Sequence, residues 1–305
     1  MPPETTAPYR GRFAPTPSGP LHFGSVVAAA GSYLDALAHG GEWHVRIDDV
    51  DPPRVAPGAA DRILRTLVSL GFEWSGPVVR QSARTADYAD ALCRLQARTH
   101  VYPCTCTRVE IAAAGLPGIE GPRYPGTCRA GPSHPSRPPA LRVEVRDAPL
   151  AFTDLLQGPQ AQNLAEATGD FVLRRADGVY AYHLACIVDD TLDGFTHVVR
   201  GADLLDSVGR QLHLLRTLGW PEPQYLHLPV ATDAAGQKLS KQTLAPPVGD
   251  GDAAILGWAL AFLNHPPPPE LHGAPAAELW GWARTAWRRD RLPAMRTRPL
   301  GIHAG

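Results

Sequence analysis

Lysine is almost missing from this chain. Only Lys238 and Lys241 occur in 305 residues, both inside GQKLSKQ (Gly236 to Gln242), while arginine supplies the rest of the 29 basic side chains. A compact ammonium on a flexible stem is not equivalent to a planar guanidinium. Two lysines kept in a chain that uses arginine everywhere else therefore mark positions with a particular chemistry. A long hydrophobic run is also missing, which excludes a membrane-spanning helix of about 18 or more apolar residues. Met1 to Arg10 is Pro-rich and acid-containing, with no apolar core of signal-peptide type. A cytoplasmic protein with reduced thiols is expected. Charge of one sign is missing too: the formal net charge of −1 excludes nucleic-acid binding by bulk charge and leaves room only for a local patch. The five cysteines are odd in number, and Cys104, Cys106 and Cys128 fall close together, which suggests a metal site rather than a disulfide framework.

What is present reads as one α/β protein with a hydrophobic fraction of 44%, ample for a core. Tyr9 to Ala14 is a strand that enters a Pro/Gly loop and then a helix from about Phe23 to His39, closed by Gly40-Gly41. Trp43 to Ile47 is a second strand, ending in Asp48-Asp49-Val50-Asp51. Helices follow at about Pro57 to Leu70 and Thr85 to Thr99. Strand alternating with helix predicts a parallel, nucleotide-binding sheet. Val101 to Pro139 breaks the rhythm with clustered Cys, Pro and Gly, as an inserted lobe does. Further strands are expected at Leu141 to Val145, Asp170 to Arg174, His197 to Arg200 and Tyr225 to Pro229, with Tyr180 to Val188 as a return strand or core segment. Ser207 to Leu218 and the chain beyond Ala253 read as helical. The expected division is 1–100, 101–139, 140–245 and 246–305. Cys93 and Cys186 sit in apolar patterns and read as core thiols.

Three constellations carry chemistry. Arg12 to Ser25 (RFAPTPSGPLHFGS) is a strand end, a loop and a helix start, which aims backbone N–H groups and a helix's positive end above the sheet. His22 at the helix entry can donate to phosphate oxygens or simply cap the helix. The lysine loop suits charge developing on a phosphate in a transition state. Three thiols with a fourth donor would suit tetrahedral zinc, although three reduced thiols in a Pro/Gly-rich lobe remain the alternative from the residues alone. In addition, six arginines against Asp290 between Arg284 and Arg298 suggest a surface for RNA phosphates, and Trp282 and Trp287 beside them suit packing of that helix.

His22-Phe23-Gly24-Ser25 and Lys238-Leu239-Ser240-Lys241-Gln242 resemble the two signature sequences of class I aminoacyl-tRNA synthetases. Arg12-Phe13-Ala14-Pro15, Arg46 to Asp51 (RIDDVD) and Arg200 to Leu205 (RGADLL) are similar to the glutamyl branch. The short remainder after Gln242 resembles its truncated paralogues, the glutamyl-queuosine tRNA(Asp) synthetases. The resemblance implies a class I, Rossmann-like parallel sheet with an inserted zinc lobe and a small helical C-terminal part. It implies ATP with Mg²⁺, L-glutamate, and the anticodon loop of tRNA(Asp) bearing queuosine as substrates of a monomeric ligase. His22, Lys238 and Lys241 are then the catalytic residues, with His22, Gly24, Ser25 and Lys241 on ATP. Arg12, Phe13, Ala14, Pro15, Thr16, Asp48, Tyr182 and Arg200 line the glutamate site, Arg12 and Arg200 as partners for a carboxylate and Asp48 for the ammonium. Cys104, Cys106, Tyr124 and Cys128 hold one structural zinc. Two departures from the pattern stand out: Asp48 where the family has Glu, and a longer stretch at Ala114 to Pro122. The rival readings are a glutamyl-tRNA synthetase fragment that charges the acceptor end and a small-molecule nucleotidyltransferase. A catalytically dead zinc and RNA-binding module is the third, and intact His22, Lys238 and Lys241 argue against it.

Overall fold

The structure is a computed structural model that describes residues 7–233, 236–238, 248–249 and 251–300. In chain order, β1 (Arg10–Phe13) leads through the Pro/Gly loop to α1 (Phe23–Ala38), followed by β2 (Glu42–Ile47), α2 (Ala59–Ser69), β3 (Val79–Arg80) and α3 (Thr85–Gln96). The lobe opens with β4 (Val101–Cys104) and α4 (Arg108–Ala113). It rejoins the body through β5 (Ala140–Val143), β6 (Pro149–Asp154), β7 (Gly158–Asn163), α5 (Leu164–Ala167) and β8 (Phe171–Arg174). Then come α6 (Tyr182–Leu192), β9 (His197–Gly201), α7 (Val208–Leu218), β10 (Gln224–Leu228) and β11 (Val230–Thr232). Last are α8 (Ala253–Phe262), α9 (Ala276–Ala286) and β12 (Thr297–Pro299).

The expected parallel sheet forms. β1 pairs with β2 and β2 with β3, both parallel, and β9 pairs parallel with β10, which also meets β6. The two sheets adjoin along β1 and β9, where Thr196 N–H donates to Arg10 O at 3.0 Å. Turns end the helices where glycine allows it: Gly71, in the left-handed region (φ 74°), follows α2, and its missing side chain leaves room for Trp280. The lobe is a separate antiparallel sheet, β4-β5-β8.

Two apolar clusters hold these layers. One lies under α1 and joins β1 and β2 to α8 and α9 through Tyr33, Trp43, Phe72 and Trp280, whose rings meet at centroid separations of 4.9–5.5 Å. Trp280 Nε1 also donates to Leu70 O at 2.8 Å, so its polar edge is satisfied. The second cluster packs α3, α6 and α7 against β8 through residues such as Leu95, Leu173, Leu184 and Leu212. Among the described residues no helix is long and apolar enough to cross a membrane.

Two expectations are corrected, and a third segment is seen in more detail. Tyr182–Leu192 is a helix, not a return strand; its apolar residues recur at helical spacing, and burial of Leu184, Ala185, Ile187 and Val188 outweighs the β-branched bias of the run. Cys93 is exposed, because α3 buries Tyr88, Ala91, Leu92 and Leu95 and turns position 93 outward. Of the arginines between 284 and 298, several also bond within the protein, while Arg284, Arg288, Arg291 and Arg296 stay exposed. Arg289 forms a bidentate pair with the buried Asp35 of α1 (3.0 and 2.8 Å), Arg284 donates to Tyr33 OH, and Arg298 to Asn264. Trp287 is buried, as packing of that segment requires.

Candidate active site

Parallel α/β sheets place their sites at the carboxyl ends of the strands. Here β1, β2 and β9 end in Arg12-Phe13, Ile47-Asp48 and Arg200-Gly201, so three of the sequence-expected groups converge for a topological reason. His22 is the N-cap of α1 in an extended conformation (φ −123°, ψ 173°), and its Nδ1 accepts Ser25 N–H at 3.3 Å. An accepting Nδ1 puts the proton of a neutral ring on Nε2. Capping and donation are thus compatible: the cap fixes the tautomer that makes Nε2 a donor. Gly24 and Ser25 form the first turn behind it, at the helix's positive end.

Beneath the loop lies a buried charge network. Arg12 grips Asp190 with two hydrogen bonds, Nε at 3.0 Å and Nη2 at 3.1 Å. Arg46 joins the same carboxylate at 2.6 Å and reaches Asp48 at 2.7 Å. All four side chains are buried. Burial works against the Asp190 carboxylate, but Arg12 and Arg46 hold it well below the usual range. Burial lifts Asp48 above that range against the pull of Arg46. The neighbouring Asp189, which accepts from Gln81, Tyr88 and Arg84, is pushed up to about 6 by burial, with Arg46 opposing. Tyr182, Cys186 and Asp190 are spaced by four on α6 and share one helix face. That face turns Cys186 Sγ toward Arg12 and Arg46, and Asp190 onto both.

Arg200 is buried, and four of its five N–H groups are bonded. Its Nε donates to His227 Nε2 at 3.0 Å, Nη1 to Tyr182 OH at 3.2 Å, and Nη2 to Gln211 Oε1 at 2.8 Å and Leu204 O at 3.3 Å. His227 in turn faces Asp154, with Nδ1 and Oδ2 2.6 Å apart. Asp154 is itself fixed by the N–H groups of Leu156 and Gln157 at the β6–β7 turn. Arg46, Asp190, His227, Asp154 and Gln211 are the site's missed members. The paired acids Asp189-Asp190 in an otherwise apolar helix were the readable signal; nothing local marks His227 or Asp154.

Asp48, Thr16 and Tyr182 line a cavity of about 450 Å³ that extends to the lobe at Cys106 and Arg108. Lys238 stands across from β11, bridged to Thr232, and its ammonium pairs with Asp203, three residues after Arg200. Lys241, with Leu239, Ser240 and Gln242, lies outside the described residues.

In the lobe, Cys104, Cys106 and Cys128 offer sulfurs within 4.8 Å of one another. Tyr124 OH lies 3.3 Å from Cys104 Sγ and 3.8 Å from Cys106 Sγ, and accepts Cys128 N–H at 2.8 Å. Cys106 and Cys128 sulfurs are 3.5 Å apart. These separations match donors around a tetrahedral zinc, whose sulfurs stand roughly 3.8 Å apart for Zn–S bonds of about 2.3 Å. Burial opposes the Cys128 thiolate, but hydrogen bonds from Ser133, the Thr105 backbone and Tyr124 outweigh it and bring the thiol down to about 5. The donor set fits the metal.

The family described as tRNA synthetases class I (E and Q), catalytic domain, matches residues 9–253. The chain is similar to the glutamyl-Q tRNA(Asp) synthetase of Aromatoleum aromaticum, 54% identical over 291 residues, covering 95% of this chain and 92% of that one. It is similar to that of Dechloromonas aromatica, also 54% identical, covering 94% and 96%. In fold it resembles the crystal structure of glutamate-tRNA synthetase from Elizabethkingia anophelis, with TM-score 0.78 and 23% identity over 97% of this chain and 68% of that one.

Proposed function

The chain belongs to the glutamyl-Q tRNA(Asp) synthetases, within the class I (E and Q) catalytic-domain family, and from that membership we propose how its residues carry the reaction. The enzyme activates glutamate with ATP and transfers it to queuosine of tRNA(Asp). A glutamate α-carboxylate oxygen attacks the α-phosphorus of ATP, the bond to the β-phosphate breaks, and pyrophosphate leaves; Mg²⁺ carried by ATP would supply charge neutralisation at the phosphates. A queuosine hydroxyl then attacks the acyl carbon, loses its proton, and releases AMP. No covalent enzyme intermediate is needed.

His22 Nε2–H and the first turn of α1 at Gly24 and Ser25 meet the ATP phosphates. Lys238, steadied by Asp203, and Lys241 neutralise charge as the transition state forms. Arg200 and Tyr182 receive the glutamate side-chain carboxylate, and Asp48 receives the ammonium. Arg12 spends its two carboxylate contacts on Asp190 and a third on Cys186 Sγ, so it positions the network under Phe13, Ala14, Pro15 and Thr16. Asp48, one methylene shorter than Glu, is held forward by Arg46. Cys104, Cys106, Cys128 and Tyr124 hold a structural zinc, which ties residues 101–139 into a lobe with little apolar core of its own.

The observation that carries this reading is the convergence of Asp48 and Tyr182, with Arg200 bonded behind Tyr182, on one cavity at the strand ends. The test is ATP–pyrophosphate exchange across a panel of amino acids without RNA, followed by mapping of labelled glutamate on tRNA(Asp). Glutamate alone should support exchange, and label should lie in the anticodon. Label at the 3′ end, or exchange that requires RNA, overturns it.

A further inference from the structure

The cavity is larger than an amino acid needs, and its two halves differ. The inner half carries Thr16, Asp48 and Tyr182. The outer half is walled by Val50, Ile111, Val172 and Val179, and is rimmed by arginines from opposite sides: Arg54 from the turn after β2, and Arg108 from the start of α4 in the lobe. Its charge is unbalanced. Both acids in the lining are already paired, Asp48 with Arg46 and Asp51 with Arg175 at 2.9 Å. Arg210 is taken by Glu120, from the long stretch at Ala114 to Pro122, at 2.5 Å. Arg142 donates to Asp170 O at 2.8 Å and lies over the Tyr124 ring. Arg54 and Arg108 are exposed, and neither guanidinium makes a hydrogen bond or ion pair with any described residue.

We propose that the outer half of this cavity seats the RNA nucleotide that accepts glutamate, its base against Val50, Ile111 and Val179 and its flanking phosphates held by Arg54 on one rim and Arg108 on the other. The proposal rests on the function assigned above. The apolar wall suits a planar ring splayed from a single-stranded loop, and the two guanidinium groups suit phosphates on either side of it. Volume agrees: about 450 Å³ lies in the range of sites that bury a nucleoside-sized ligand. Placement agrees too, since the nucleotide's hydroxyls would enter toward Asp48 and Tyr182, where the activated acyl group waits. Glu120, from the long lobe stretch, pairs with Arg210 of the cavity lining and so ties that stretch to the cavity's edge.

The test uses the full-length enzyme with Arg54→Ala, Arg108→Ala and the double variant. Two reactions are measured: glutamate-dependent ATP–pyrophosphate exchange without RNA, and glutamate transfer to queuosine-bearing tRNA(Asp) over a range of salt. Exchange should be unchanged. The KM for tRNA should rise several-fold in each single variant and further in the double. The salt slope of the double should flatten by about 1.4, two phosphates at about 0.7 each for a single strand. Arg108→Lys should retain most of the affinity. Unchanged KM and slope in the double variant overturn the RNA seat while leaving the function standing. Impaired exchange also overturns it, because the arginines would then serve ATP or glutamate. Failure of the wild type to exchange or transfer would instead strike the function itself.

Discussion

His227 is the strongest place to break the proposed glutamate site without touching a group assigned to the substrate. The side chain is fully buried on β10, between Asp154 and Arg200. Burial opposes ionisation of Asp154, but His227 and two backbone N–H groups keep the carboxyl below its ordinary value, so it accepts from Nδ1–H. Nε2 is then a lone pair facing Arg200 Nε–H. Burial pushes the ring down to about 4, with Asp154 pulling the other way, so the ring is neutral at physiological pH. His227→Ala leaves Arg200 Nε buried without an acceptor, at a cost of about 1–3 kcal/mol. If that cost is felt as misplacement of the guanidinium, glutamate binding weakens by roughly 5- to 150-fold, at tenfold per about 1.4 kcal/mol. The assay is exchange kinetics with glutamate varied, beside a thermal melt. The KM for glutamate should rise much more than kcat falls, the KM for ATP should hold, and His227→Gln, whose amide oxygen can still accept, should recover part of the loss. An unchanged glutamate KM in a folded His227→Ala protein would refute the reasoning.

Lys241→Ala should lower kcat of adenylate formation by about 10²–10³-fold with little change in glutamate KM, since the charge it meets develops mainly in the transition state; weakened glutamate binding at unchanged turnover would contradict that. The purified protein should carry one zinc by elemental analysis, and Cys128→Ser should lose it and loosen the lobe to proteolysis. Stability should fall as the solution is acidified from about pH 6 to 4, because burial pushes His197 and His227 down to about 4 and the unfolded chain takes up protons that the fold refuses. Each such histidine contributes on the order of 1 kcal/mol per pH unit, while Asp189, raised to about 6, acts in the opposite direction; denaturant midpoints across this range measure the balance.

The sequence made the nucleotide-binding half of the fold readable because periodicity and punctuation agree there: strand, Pro/Gly loop, alanine-rich helix and Gly40 in the left-handed region all point one way. It failed where partners are distant. β6 and β7 form a hairpin in which only Leu150 and Phe152 of β6 alternate as half-buried apolar positions, while Gly158–Asn163 of β7 carries no large apolar side chain, so the strand signal is faint. Yet that hairpin supplies Asp154, which anchors His227 from 73 positions away. The charge-rich end of the chain hides a distant partner of another kind. Composition displays six arginines as a patch, but Asp35 is buried on α1 and needs a cation, and Arg289 is the one that reaches it. A buried carboxylate is costly without a partner, so that demand outranks any use of the same guanidinium on the surface.

The short span from Arg200 to Asp203 shows how little chain the chemistry requires once the sheet is in place. Arg200, on β9, turns inward to Tyr182, Gln211 and His227. The strand then ends, and the tight turn from Ala202 to Ser207 brings Asp203 round to Lys238. Gly201 leaves room for that carboxylate, since a Cβ there would meet Asp203 Oδ1 at 2.4 Å and push it aside. One four-residue stretch therefore orients the proposed carboxylate-binding arginine and steadies one of the chain's only two lysines. A substitution that displaces this turn should disturb glutamate recognition and phosphate chemistry together, even though the two sites use different side chains and different charges. On the proposed assignment, the first and fourth residues of RGADLL would serve separate halves of the reaction, and the geometry of the strand end is what makes them neighbours.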